Sequence, residues 1–176
     1  MAATEIYPLL IVLLLGSIMT FGMYLTITTV ASKVFEKQKW DIVTRNVEIT
    51  LPLRLQAYER MCLFLERITP GNLLLRLVAS GGSAQELQTL LLFEIREEYN
   101  HNLSQQIYMS NDAWEQVANA MNEVVSIINQ SSGVVAPDAP ATDLAKTILS
   151  QVIEKEIQPS THALKFLKKE IQTLFR

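Results

Sequence analysis

The side chains best suited to chemistry in this chain lie close together, in the run Glu94-Ile95-Arg96-Glu97-Glu98-Tyr99-Asn100-His101. Glu98 and His101 have the E-x-x-H spacing, and Glu94 precedes Glu98 by one helical turn, so a helix sets all three on one face. Helical bundles that hold two metal ions use this arrangement, but they need a second E-x-x-H and further glutamates converging from other helices. That second half is missing. The chain has 2 histidines, and the residue three before the other one, His162, is Pro159. Glu94, Glu98 and His101 are therefore only weak metal candidates, and the expectation is that no metal is bound.

Other chemistry has less support still. The single cysteine, Cys62, lies in an apolar run and can form neither a disulfide framework nor a thiolate metal site within one chain. No G-x-S-x-G, P-loop or dinucleotide glycine pattern occurs, so no catalytic residue and no cofactor is expected. Glu94, Glu97 and Glu98, with Arg96 among them, read as a solvated helix face rather than a paired acid and base.

Charge sorts the chain into blocks. No Lys or Arg precedes Lys33; Lys33 to Arg96 holds 9 basic and 7 acidic residues, Glu97 to Ala145 holds 7 acidic and none basic, and Lys146 to Arg176 holds 6 basic and 3 acidic. This balance lacks the concentrated basic footprint with interleaved aromatics that nucleic-acid binding needs, so no nucleic-acid partner is expected. Arg54, Glu59, Arg60, Glu66, Arg67 and Arg76 could touch anionic head groups, but a salt-bridged helix surface is the stronger expectation.

The elements that must position these residues begin with a hydrophobic one. From Ile6 to Ser32 there is no charged side chain, and Tyr7 to Ala31 alone is long enough to cross a hydrocarbon core of ~30 Å as a helix. Tyr7 and Trp40 are suited to anchoring it at the two interfaces. Lys33, Lys37 and Lys39 follow its C-terminal end, which by the positive-inside rule puts the N-terminus outside and the rest in the cytoplasm. A cleaved signal peptide ending at Val30-Ala31-Ser32 is the competing expectation, disfavoured by the missing basic n-region and the length of the apolar run. Gly16 with Thr20 and Gly22 with Thr26 are small-x-x-x-small pairs, a pattern that arises often by chance.

After the span, Val47 to Leu55 alternates like a strand with no second strand to answer it. The spacing predicts an extended connector there, then a helix from about Pro52 to Ile68 and a short one over Gly71 to Ala79. Ser80-Gly81-Gly82 breaks the chain, and Ser83 with Glu86 forms a capping box ahead of a helix that turns Leu87, Leu90, Leu91, Ile95, Leu103 and Ile107 inward. Ser110 to Asp112 can cap a helix reaching Gln130 with an apolar stripe of Trp114, Val117, Met121, Val124 and Ile128. Residues 131–142 form the one true loop. Thr142 or Asp143 then caps a helix to about Gln158, and the closing segment places Leu164, Leu167, Ile171 and Leu174 at heptad spacing.

The runs LPLRLQAYERM, FLERITPGNLLLR and EEYNHNLSQQIYMSNDAWE resemble those of an uncharacterised family of short, single-span bacterial inner-membrane proteins. The resemblance covers about Val47 to Glu115 and, more loosely, the C-terminal LKFLKKEI. It implies a bacterial inner-membrane setting and carries no activity, cofactor or catalytic residue.

The expected architecture is all-α: an N-terminal transmembrane helix with its juxtamembrane extension over 1–40, a helical domain of five to six helices beginning with 41–130, a loop over 131–142, and C-terminal helices over 143–176 packing on the same domain. The expected partners are the lipid bilayer and a protein, with a second copy of the chain as an alternative. The stripes Trp114 to Ile128 and Leu164 to Leu174 are the candidate contact surfaces. Binding, rather than catalysis, is the role these features favour. A membrane-tethered metal or enzymatic domain using Glu94, Glu98 and His101 is the alternative.

Overall fold

The computed structural model describes residues 2–154 and 158–173, with side chains from residue 13 onward except at 42, 43, 46 and 159. It is all-α. Six α-helices and two 3-10 segments follow one another, and the described residues include no strand, only an isolated bridge between Ser83 and Pro140. Two units can be distinguished, Met1–Thr50 and Leu51–Arg176, and the first helix, α1 (Ala2–Ile68), contributes to both.

The described residues of the first unit all belong to α1. Its stretch Leu13–Asp41 is long and apolar enough to cross a membrane, and none of its side chains is buried by the rest of the chain. The serine and threonine hydroxyls within it are satisfied by the helix itself. The hydroxyls of Ser17, Thr20, Thr26, Thr28, Thr29 and Ser32 all donate to carbonyls three or four residues back, at 2.7–3.1 Å. Such bonds let a hydroxyl enter a non-aqueous surrounding without an orphaned donor.

The extended connector over Val47 to Leu55 does not form: α1 runs through it unbroken. Alternation specifies a strand only where a partner strand accepts its backbone groups, and here the backbone closes its hydrogen bonds locally instead. Val47, Ile49 and Leu53 remain exposed.

In Leu51–Arg176 the core begins as soon as α1 acquires neighbours. Ala57, Tyr58, Met61, Phe64, Leu65 and Ile68 are all buried, at helical spacing. Thr69 ends α1 and Pro70 opens α2 (Pro70–Leu77), where a missing N–H costs nothing. A 3-10 turn, Val78–Ser80, leads to α3 (Ala84–Asn102). The capping box there is complete: the Glu86 N–H donates to Ser83 Oγ at 3.2 Å, while the Gly82 and Ser83 N–H groups donate to Glu86 Oε2 at 3.0 and 3.2 Å. Gly81 is needed for close packing, since a Cβ there would stand 3.0 Å from that of Leu87.

Leu87, Leu91 and Ile95 turn inward as the spacing predicts, but Leu103 and Ile107 are exposed. The α-helix stops at Asn102 and tightens into a 3-10 segment, Leu103–Tyr108, so the 3.6-residue period that would have carried both inward is lost. Ser110 caps α4 (Asn111–Ser132), its Oγ accepting from the Ala113 N–H at 3.0 Å.

The loop after α4 is tied down: the Ala84 N–H donates to the Ala139 carbonyl and the Gln85 N–H to the Pro137 carbonyl, at 2.8 and 3.1 Å. Two first-turn donors of α3 are thereby satisfied. The next helix, α5 (Ala141–Glu154), already includes Thr142 and Asp143, so neither caps it; the Asp143 N–H instead donates to the Pro140 carbonyl. The last helix, α6 (Pro159–Thr173), packs chiefly on α4, and α5 lies against α2, α3 and α4.

Candidate functional site

Beyond Leu51, α1 buries one face and leaves Gln56, Glu59, Arg60, Leu63 and Arg67 along the other. Together with Glu98, His101 and Asn102 at the end of α3, these line a groove of about 690 Å3. Tilted ring contacts join the same helices: the Phe64 and Tyr99 rings lie 5.8 Å apart and the Tyr99 and Trp114 rings 5.5 Å apart, tying α1, α3 and α4 together. Burial pushes the Tyr99 hydroxyl up from its ordinary pKa. Asn102, itself buried, donates from Nδ2 to the Glu98 carbonyl at 2.8 Å and so finishes the helix.

The charges across the groove are partly matched. Arg67 Nε lies 3.2 Å from Glu98 Oε2, and nearby Arg76 lies 3.7 Å from Glu94 Oε2. The two carboxylates of the metal half-site are thus engaged by arginines, and His101, exposed at the groove edge, is not brought to a second carboxylate pair. Among the described residues no group of three or more His, Cys, Asp or Glu side chains is placed to hold a metal ion. Arg60 has no ion-pair partner among the described residues, so one guanidinium in the groove remains available.

On the far side of α1, Tyr58 donates its hydroxyl to Glu170 Oε1 at 2.6 Å, and Ser110 donates to Glu170 Oε2 at 2.9 Å. Arg54 Nε donates to the Tyr108 carbonyl at 3.2 Å. A single α6 carboxylate therefore holds α1 and the N-cap of α4. Burial first, and the Glu170 carboxylate second, push the Tyr58 pKa up to about 12. The Cys62 thiol is half-buried and is raised mainly by that burial.

The apolar stripes are used inside the fold. Val117, Val124, Ile128 and Leu167 are fully covered, and Trp114, Met121, Leu164 and Ile171 pack half-buried on the same core. The stripe also includes Ala113, Ala120 and Ile127, which sequence spacing alone does not single out. Leu174 lies outside the described residues, as does the Tyr7 side chain. Trp40 is exposed, as are Lys33, Lys37 and Lys39. Sequence reasoning missed the groove because its two walls are more than thirty residues apart; the only signal was the alternation of charge sign between α1 and α3.

An all-helical unit joined through one helix to a long apolar stretch defines the class of protein. The chain belongs to a family of unknown function, DUF7935, whose sequence profile matches residues 4–174. That match includes the apolar stretch as well as the helical unit. No curated protein and no solved structure matches the chain.

Proposed function

We propose that this chain is a membrane-anchored interaction protein, an accessory or adaptor subunit of a membrane-associated complex, with its N-terminus outside and its helical unit in the cytoplasm of a bacterial cell. The observation that carries this reading is the exposure of Leu13–Asp41: large apolar side chains such as Leu13, Phe21 and Met23 are each more than 60% exposed, with none of the described residues covering them. A bilayer is the surrounding that removes this cost at ~25 cal/mol per Å2 of apolar surface. The basic flank of Lys33, Lys37 and Lys39 supports the orientation, and the resemblance of the downstream runs supports the inner membrane.

The partner is a protein, and its contact lies in the groove between α1 and α3. Arg60 without an ion-pair partner beside the exposed Leu63 suits a helix that carries a carboxylate next to an apolar residue. A photo-crosslinking residue placed at Leu63 in native membranes is expected to yield one discrete adduct, identified by mass spectrometry, that is lost in Arg60→Glu. An adduct of twice the chain's mass makes the partner a second copy. Repeated recovery of the uncrosslinked chain alone would count against the proposal.

A further inference from the structure

The charge-free stretch of α1 ends at Lys33, and the next two turns carry Glu36, Lys37, Lys39, Trp40 and Asp41. An α-helix turns by about 100° per residue, which sets Lys37 about 40° from Lys33 and Trp40 about 20° to its other side. These three therefore share one face, the two ammonium groups a turn apart and the indole beyond them. Lys39 lies about 120° from Lys33 and belongs to a different face. Glu36 and Asp41 border the first face, one on each side.

Both lysines of this face are exposed, and neither has an ion-pair partner among the described residues. Partners stand at the right spacing: Glu36 follows Lys33 by three residues and Asp41 follows Lys37 by four, yet neither pair closes. Trp40 is 65% exposed and offers an N–H donor at the edge of a large apolar ring. The level of the face follows from length. From Tyr7 to Trp40 the helix rises about 50 Å, slightly more than the ~40–45 Å of a bilayer with its head groups, so a tilted span brings this face to the head groups. Lysine stems can lie along the apolar surface there while their ammonium groups reach the phosphates. Two unpaired cations and one neutral donor complement a phosphate diester. A zwitterionic head group brings a cation of its own, which the lysines repel, whereas a head group that carries only hydroxyls does not.

We propose that the Lys33–Lys37–Trp40 face of α1 binds the head group of an anionic phospholipid. Lys33 and Lys37 hold the phosphate, and Trp40 lays its ring against the lipid with its N–H towards the polar groups. This rests on the membrane reading given above and adds to it the class of lipid and the face that selects it.

The test reconstitutes the full chain into vesicles of equal parts phosphatidylcholine and phosphatidylglycerol, floats them, and reads by native mass spectrometry which lipid stays on the released chain. Phosphatidylglycerol is expected to be retained in preference to phosphatidylcholine. Lys33→Gln and Lys37→Gln should each lower that preference about five-fold, the weight of one lysine at an anionic surface. Lys39→Gln, on the other face, should leave it unchanged. Equal retention of the two lipids, or an equal loss in all three lysine variants, would overturn the site while leaving the membrane reading intact. A chain that stays in the aqueous phase and does not float with the vesicles would overturn the membrane reading, and the site with it.

Discussion

The side chain that joins most of the fold is Tyr58, buried on α1 and bonded to the Glu170 carboxylate of α6. Because Glu170 is itself half-exposed, water can take the place of a lost donor, and Tyr58→Phe is expected to cost about 1 kcal/mol at neutral pH, the ordinary net value of one hydrogen bond. The pH dependence has a definite sign. The folded pKa of about 12 lies above the ordinary tyrosine value of 10.0, so this contribution is fully present below pH 10 and falls away as pH rises towards 12. Denaturant titrations of wild type and Tyr58→Phe should therefore differ by a constant amount below pH 10, and the gap should narrow above it. The same scale shows what the E-x-x-H pattern leaves open. E-x-x-H spacing fixes which helix face carries Glu98 and His101 but says nothing of what faces them, and here Arg67 does.

Among the helices, what could be read in the sequence is what is decided locally. Ser83 and Glu86 form their capping box through backbone groups at most four residues away, so the pattern alone was sufficient. The burial of Val117, Val124 and Ile128 in α4 follows from a single period, as does that of Leu87, Leu91 and Ile95 in α3. The course of Val47 to Leu55 was not legible, because its alternation depends on whether another strand exists elsewhere. Pro52 also looked like a helix start, whereas α1 passes through it and forgoes one backbone bond. The groove was hidden for the same reason: neither Arg60 on α1 nor His101 on α3 reveals the other. The capping box gives this scale its prediction. Ser83→Ala is expected to destabilise the chain by about 1 kcal/mol. Its effect should not add to that of Glu86→Ala, since each residue serves the other's backbone; a double-mutant cycle by urea unfolding would show coupling between them, and full additivity would mean the two caps act separately.

For the whole molecule, the division of labour follows from where burial occurs. Among the described residues every fully buried member of the hydrophobic core lies between Ala57 and Leu167, all within Leu51–Arg176. Residues 51–176 produced alone should unfold cooperatively and stay in aqueous buffer, while the full chain should require detergent or bilayer. A fragment that is molten, or that still demands detergent, would mean that the apolar stretch is part of the fold rather than its anchor. Direction is a separate matter from insertion, because the apolar length fixes only that a bilayer can be crossed and the flanking charge decides which way. With no basic residue before Lys33, the charge bias rests on Lys33, Lys37, Lys39 and Arg45. If the proposed orientation holds, exchanging the three lysines for glutamine and replacing Ala2, Ala3 and Thr4 with lysine should move a reporter fused after Arg176 from the cytoplasmic to the outer side in a substantial fraction of molecules. A reporter that stays put would show that the helical unit, not the charge, sets the orientation.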